Sequence, residues 1–235
     1  AAGESMLEPG KYATANITGT INILNQMVES GVKNIIFSST AAVYGMPEYL
    51  PVDENHPLNP VNFYGFTKLE IERLLHWYSK LKGIRFAALR YFNAAGYDLQ
   101  GKIIGLERNP ANLLPIVMET AAGIGESMQI FGDDYDTPDG TGIRDYIHGS
   151  DLASSHLKAM DYIINQQENL TLNLAAERGY SVLDVISQAQ ETTGNDISYK
   201  VVGRRPGDPA KLMAVSNLAK VKINWECEYS DIETI

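Results

Sequence analysis

Asn34-Ile35-Ile36-Phe37-Ser38-Ser39-Thr40 is an apolar run closed by three hydroxyls, and its reading decides the fold. A short apolar stretch bounded by polar residues is the pattern of a buried parallel strand. Upstream, Ile17, Ile21, Leu24, Met27 and Val28 recur at helical spacing until Ser30-Gly31, so a helix feeds that strand. Downstream, Pro47, Pro51, Pro57 and Pro60 mark a long loop. A second helix then spans 63–82 before Gly83 stops it, and another strand spans 85–91. Helix and buried strand alternating in this order predict an α/β fold, part of a doubly wound parallel sheet with right-handed crossovers.

The rest of the chain is less regular. Helices are expected over 113–122, 151–164, 182–193 and 217–222, with short strands over 128–131 and 172–174, and with Asp151 and Ser181 as N-caps. The polar, glycine-bearing loops at 133–142 and 203–208 suit closure over a ligand. A chain of 235 residues buries about 70–75% of its unfolded surface, so its core needs no staple. The single cysteine, Cys227, rules out an internal disulfide framework and fits a reducing, cytoplasmic compartment. No apolar run approaches the ~20 residues that span a bilayer. A net charge of −10 argues against nucleic acid and anionic membranes as partners, so any anionic ligand must be held by local arginines. No His, Cys and carboxylate cluster has metal-binding spacing, and no metal is expected.

In open parallel sheets, ligands lie at the carboxyl ends of strands, where Ser38, Ser39 and Thr40 stand. Thr40 is the hydroxyl expected to face a ligand; capping of the following turn is the other reading. Tyr64 and Lys68 are four apart at the start of a helix and share one face. A phenol with a pKa of about 10 is a poor base at neutral pH, and a neighbouring ammonium favours its phenolate. Tyr78 and Lys82 repeat the spacing at the far end of the same helix, with no strand-end hydroxyl shortly upstream, and are read as surface and core.

Order separates the two pairs. The strand ending Ser38-Ser39-Thr40 is followed by Val43-Tyr44-Gly45, the proline loop, Tyr64-x-x-x-Lys68, and a strand running into Arg90-Tyr91-Phe92-Asn93-Ala94-Ala95-Gly96. With the Gly3-Glu4-Ser5 opening, the run Gly140-Thr141-Gly142-Ile143-Arg144-Asp145-Tyr146-Ile147-His148 and the turn Arg204-Arg205-Pro206-Gly207-Asp208, this series resembles the extended short-chain dehydrogenases. Within them it is similar to the UDP-glucose/UDP-galactose 4-epimerases, over essentially the whole chain.

The resemblance implies a Rossmann-type sheet carried by 1–95, a smaller UDP-sugar-binding lobe carried mainly by 96–235 with some segments returning to the sheet, tightly held NAD, and hydride transfer from and back to C4 of a hexose. Tyr64 matches the base for the 4-hydroxyl, Lys68 the lysine that holds the nicotinamide ribose, and Thr40 the hydroxyl sharing the proton pathway. Asn16, Ser38, Ser39, Tyr91 and Phe92 match cofactor-side positions. Arg144 and Arg205 match pyrophosphate contacts; surface ion pairing with Asp145 and Asp208 is the alternative. Asp208 matches the uridine-ribose contact, and Asn93, Asn112 and Leu113 the sugar-phosphate region. Gln129 to Phe131 matches the edge that receives uracil, with Phe131 otherwise core. Leu212 matches a position facing the hexose near C2, or else it packs the lobe. His148 is read as a satisfied core histidine. Ala41 and Ala42 stand where related 4,6-dehydratases carry an acidic pair, so epimerisation is favoured over elimination.

The family's first strands and their Gly-x-x-Gly-x-x-Gly turn are not in this sequence, about 80 residues at roughly 25–30 per strand-helix unit. The expectation is an incomplete chain, inactive by itself, that becomes an NAD-dependent homodimer when intact, against the alternatives of a silent UDP-sugar-binding or interaction module and of an epimerase for another nucleotide sugar such as UDP-N-acetylglucosamine.

Overall fold

The computed structural model describes residues 2–103, 105, 110–125, 127–205 and 207–235; Pro206 of the expected phosphate-binding turn lies outside them. The chain opens with a broken helical arm: α1 (Ala2–Leu7), α2 (Pro9–Tyr12), a π-helical turn (Ala13–Thr18) and α3 (Gly19–Ser30). Pro9 sits where its missing N–H costs nothing, at the first position of α2. Gly31, with φ +73°, takes the left-handed conformation that ends α3. Then come β1 (Asn34–Thr40), a 3-10 turn (Ala41–Val43), α4 (Phe63–Lys82), β2 (Arg85–Tyr91) and β3 (Asn93–Ala95). The second half supplies α5 (Leu113–Ala121), β4 (Met128–Phe131), β5 (Ile143–His148), α6 (Gly149–Asn165), β6 (Leu170–Leu174), β7 (Gly179–Ser181), α7 (Val182–Thr193), β8 (Tyr199–Val202), β9 (Lys211–Leu212) and α8 (Asn217–Ile223).

Strands β1, β2 and β6 form a parallel sheet in that order. Its register sets Thr40 beside Tyr91 and Tyr91 beside Leu174, so the three strands finish level. Side chains alternate across a strand, and β2 displays this directly. Phe86 and Ala88 pack with Leu24, Met27, Ile71 and Leu75 of α3 and α4. Ala87 and Leu89 pack on the opposite face with Leu152, Ala159, Ile163, Ala219 and Trp225. The sheet is therefore covered on both faces, as a doubly wound α/β fold requires. The later segments α6, β6 and α8 return to this sheet.

A smaller sheet joins β3, β5 and β7, with β9 also paired to β5, and β4 pairs in parallel with β8. Helices α5 and α7 cover this part through Val117, Ile130, Tyr146, Val185 and Ile186. The proline-rich loop ties the two halves together: the Val52 N–H donates to Met213 O at 2.8 Å and the Val215 N–H to Val52 O at 3.0 Å. Among the described residues no helix is long and apolar enough to cross a membrane.

Ser181 caps α7 as expected, in a reciprocal box with Asp184. Asp151 does not cap α6. The ring of His148 does, its Nδ1 accepting the Ser150 N–H at 3.0 Å. Asp151 lies inside the first turn, where its carboxylate accepts the N–H groups of Glu228 (2.9 Å) and Tyr229 (3.0 Å) and the Ser230 hydroxyl (2.5 Å). The sequence placed an acid at the favourable end of a helix, and tertiary contact claimed it to anchor the last segment. His148 is core, but not fully satisfied: its Nε2 is buried without a hydrogen-bond partner among the described residues. Short strands β3, β7, β8 and β9 carry no periodicity long enough to be read, and exist through their partners.

One buried polar network crosses the core. Glu72 of α4 and Arg90 of β2 are each 4% exposed and form a two-pronged pair, Nη2–Oε2 2.5 Å and Nε–Oε1 3.0 Å. Ser39 donates to the same carboxylate at 2.5 Å. Arg90 donates to the Tyr44 hydroxyl at 3.0 Å, which donates to Asn173 Oδ1 of β6 at 2.6 Å. Breaking a buried pair costs about 3–5 kcal/mol, because the surviving charge is left without a partner. Arg90→Met alone is expected to lose stability on that scale, and Glu72→Leu with Arg90→Met to recover most of it. Urea unfolding of the two variants checks this; equal losses would mean that the charge pair is not what holds α4 to the sheet.

Candidate active site

Three elements bring the catalytic candidates together at the carboxyl ends of β1 and β2. Asn62 starts α4 by accepting the Gly65 N–H at 2.8 Å. Gly65 has to be glycine: a Cβ there would lie 2.4 Å from the carbonyl oxygen of Ala42, so its absence lets the first turn of α4 rest on the turn that follows β1. This places Tyr64 where the Thr40 hydroxyl favours its phenolate. The same Thr40 oxygen accepts the Ala42 N–H at 3.2 Å. The turn-capping reading of Thr40 is thus realised.

Lys68, one turn along, donates to the Ser38 carbonyl at 2.9 Å, with its nitrogen 4.9 Å from the Phe37 ring centroid and 5.7 Å from that of Tyr64. The expectation that this ammonium lowers the Tyr64 pKa is not met in this arrangement. Burial pushes the phenol above its ordinary value, the Thr40 hydrogen bond pulls it back in part, and the neighbouring Tyr91 adds to the rise. Burial also holds Lys68 below its usual range. Desolvation penalises both charged forms at once, and Lys68 has turned toward a backbone carbonyl.

The cofactor-side candidates divide. Asn16 lies in the π-helical turn, a widened geometry that often marks functional positions, and donates to Thr67 Oγ1 at 2.9 Å; Thr67 in turn donates to the Tyr64 carbonyl at 2.8 Å. Ser38 faces His156, with Oγ 3.4 Å from Nε2, and the Tyr91 ring lies 6.5 Å from that of His156. Phe92 packs against the Ala41, Val43 and Tyr44 cluster. Strand alternation turns the Ser39 hydroxyl to Glu72, to which it donates at 2.5 Å. Tyr78 stands apart as read: its hydroxyl donates to Asn25 Oδ1 at 2.6 Å on the neighbouring α3.

The second cluster gathers on β5, β9 and the end of β4. Arg144 donates to Asp208 at 2.5 Å and to the Ile143 carbonyl at 2.8 Å, and Leu212 is its register partner. The alternative pairing with Asp145 does not form. Alternation sends Asp145 to the interior, fully buried, where it accepts the N–H groups of Ala176 (2.8 Å) and Glu177 (3.0 Å) and where burial lifts its carboxyl to about 7. Arg205 lies over the Phe131 ring at 3.7 Å rather than beside Asp208, and Arg204 lies over Tyr135 at 4.2 Å while pairing with Asp134 at 2.6 Å. Gln129 is exposed on β4. Asn93 is committed to the Asp145 carbonyl at 2.9 Å. Asn112 caps α5 without a side-chain bond, and Leu113 packs in the smaller core. Leu212 and Phe92 pack against the same apolar cluster, which includes Ala41, so the two groups of candidates share one wall.

Sequence reading missed Ser5, Gly65, Thr67, Glu72 and His156. Only Glu72 carried a signal, four residues past Lys68 on the same helix face. The others act through contacts made at long range.

A family model described as GDP-mannose 4,6 dehydratase matches residues 1–235. The UDP-glucose 4-epimerase of Streptococcus mutans is 44% identical over 233 residues, which are 99% of this chain and 70% of that protein. Among solved structures, UDP-glucose 4-epimerase from Brucella ovis in complex with NAD aligns with a TM-score of 0.97 at 40% identity, over 100% of this chain and 72% of that one. The enzyme from Bifidobacterium longum in complex with NAD+ and UDP aligns with a TM-score of 0.90 at 39% identity, over 100% and 70% respectively. Likeness of sequence and backbone over nearly the whole chain, around a Thr-Tyr-Lys group at the strand ends, places it: the chain belongs to the UDP-glucose 4-epimerase family.

Proposed function

We propose that this chain serves NAD-dependent epimerisation at C4 of a UDP-hexose, interconverting UDP-glucose and UDP-galactose through a 4-keto sugar. The observation that carries this reading is the convergence of Thr40, Tyr64 and Lys68 where β1 and β2 end together. Residues 1–95 supply the cofactor side and 96–235 mainly the nucleotide-sugar side. The absence of an acid at Ala41 and Ala42 supports epimerisation over water elimination.

The residues present fit one end of NAD. Lys68 has three N–H donors, and the Ser38 carbonyl takes one, leaving others for a ribose diol; Asn16 is tied to the Tyr64 backbone through Thr67, and Tyr91 is the register partner of Thr40. NAD bound there would supply hydride acceptance and return and a positive charge that would favour the Tyr64 phenolate, which burial alone disfavours. Tyr64 removes and restores the proton of the 4-hydroxyl, and Thr40 stabilises the phenolate through its hydrogen bond. Arg144 and Arg205 neutralise the diphosphate with planar guanidinium forks. For that, Arg144 exchanges its bond to Asp208 for phosphate, which frees Asp208 for the uridine ribose, and Arg205 leaves the Phe131 ring, which frees that face for uracil. Asn93, Asn112, Leu113 and Gln129 line the nucleotide-sugar side.

The protein is a homodimer in this reading, supported by exposed apolar side chains on α3 and α4: Ile23, Trp77 and Leu81 are 56%, 58% and 66% exposed. Light scattering at micromolar concentration is expected to give twice the chain mass, and a strictly monomeric mass would remove the dimer.

In NAD-loaded protein, Tyr64→Phe is expected to lower turnover of UDP-galactose by about 10²–10⁴ while leaving ring packing intact. Tyr78→Phe, which loses only its bond to Asn25, is expected to be nearly silent. Equal losses would refute the choice of Tyr64, and no loss in either would favour a binding module without catalysis.

Leu212 sets sugar choice if it faces C2 of the hexose. Shape discrimination in an apolar pocket reaches about 1–3 kcal/mol, so Leu212→Tyr should suppress UDP-N-acetylgalactosamine and Leu212→Ala should favour it. The ratio of kcat/KM for the two sugars decides: an unchanged ratio with lowered stability would make Leu212 a packing residue alone.

A further inference from the structure

We propose that Ser5 is a positioning residue for Tyr64, reaching it from the N-terminal arm of the chain. This rests on the reading of Tyr64 as the acid-base group. The N–H groups of the first turn of a helix have no partner within the helix. On α4 the local cap, Asn62, takes the Gly65 N–H. The Tyr64 N–H is taken by Ser5 Oγ at 2.9 Å, from 59 residues earlier in the chain. Ser5 is fully buried, and its own hydroxyl proton goes to the Ala2 carbonyl at 2.6 Å, which fixes the oxygen with its lone pairs toward Tyr64. Next to it, the Phe63 N–H meets Met6 Sδ at 3.4 Å.

The same arm also walls the phenol. Tyr12 packs edge-on against the Tyr64 ring, with centroids 6.4 Å apart and planes at 84°, and its hydroxyl donates to Glu4 Oε2 at 2.8 Å. Glu4 also holds Lys11 at 2.5 Å. Tyr64 is therefore held by the arm at two points, its backbone by Ser5 and its ring by Tyr12. From the other side the missing Cβ of Gly65 seats the turn on Ala42. Because Asn62 already caps the helix, α4 does not need Ser5 in order to begin. What Ser5 adds is the place at which its first turn stops, and with it the distance from Tyr64 to the strand-end hydroxyl.

The test compares Ser5→Ala, Ser5→Thr and Ser5→Cys in NAD-loaded protein by amide hydrogen exchange and by steady-state kinetics with UDP-galactose. In Ser5→Ala the Tyr64 amide should exchange at least about tenfold faster relative to Gly65, whose bond to Asn62 is the internal reference. A displaced catalytic group costs up to about 10²-fold in rate, so kcat should fall by about ten to a hundredfold with KM little changed. Ser5→Thr, which keeps the hydroxyl, should restore both readings. Ser5→Cys, of similar size and a weaker acceptor, should lie between, and it carries the comparison if Ser5→Ala does not fold. Faster exchange with unchanged kcat would overturn the positioning role, as would equal loss of kcat in the alanine and threonine variants. The exchange reading does not depend on turnover, so a catalytically unimportant Tyr64, revealed by Tyr64→Phe, would be recognised separately.

Discussion

Arg90 and Glu72 form the interaction on which the site depends, because they join the helix that carries Tyr64 and Lys68 to the strands that carry Thr40 and Tyr91. Their two-pronged geometry fixes direction as well as distance. Ser39 adds β1 to the same carboxylate, and Tyr44 and Asn173 add the turn after β1 and the third strand. Asn173 also donates its backbone N–H to Glu54 at 2.7 Å and its side-chain amide to Val52 O at 3.3 Å, which brings in the proline loop. Such a network in low dielectric is costly to leave half made and rigid when complete. The three strands end level, and the helix is held at a set height above them.

That rigidity has an electrostatic cost at the open end. Burial raises the Tyr64 phenol and lowers Lys68, so desolvation works against the charged form of each group. Only Thr40 works in the direction of the phenolate. A positive charge brought by the NAD of the proposed reaction would work in the same direction. In this reading the proton chemistry is tied to cofactor binding by physics internal to the site rather than by a separate switch.

The nucleotide-sugar side is built on a different logic. Arg144 is closed onto Asp208 and Arg205 onto Phe131, so the four groups proposed to grip the nucleotide satisfy one another in pairs. In a chain with a net charge of −10, unpaired guanidinium groups would draw in their own carboxylates. Pairing each with a group that also has a role on the ligand keeps the exchange local: each bond given up releases a second contact. Leu212 and Phe92 pack against the same apolar cluster, which includes Ala41 and joins this part to the hydroxyl end of the sheet.

Much of this was legible in the residues. The run Asn34 to Thr40, the helix from Phe63 to the Gly83 stop and the strand from Arg85 to Tyr91 follow from apolar spacing and from glycine at the left-handed position, both of which are local properties. The grouping of Thr40, Tyr64 and Lys68 came from the order of the motifs and the resemblance it carries, since the Tyr-x-x-x-Lys spacing recurs at Tyr78 and Lys82. The sequence alone could not tell which side of a strand Ser39 and Asp145 would take once their partners were fixed, or that His148 rather than Asp151 would cap α6. It carried no sign that Ser5 would meet Tyr64. Those outcomes belong to the tertiary structure, because each is set by a group dozens of residues away competing for the same donor or acceptor. Periodicity and spacing record what a residue prefers among its neighbours, and only the folded chain decides which distant partner claims it.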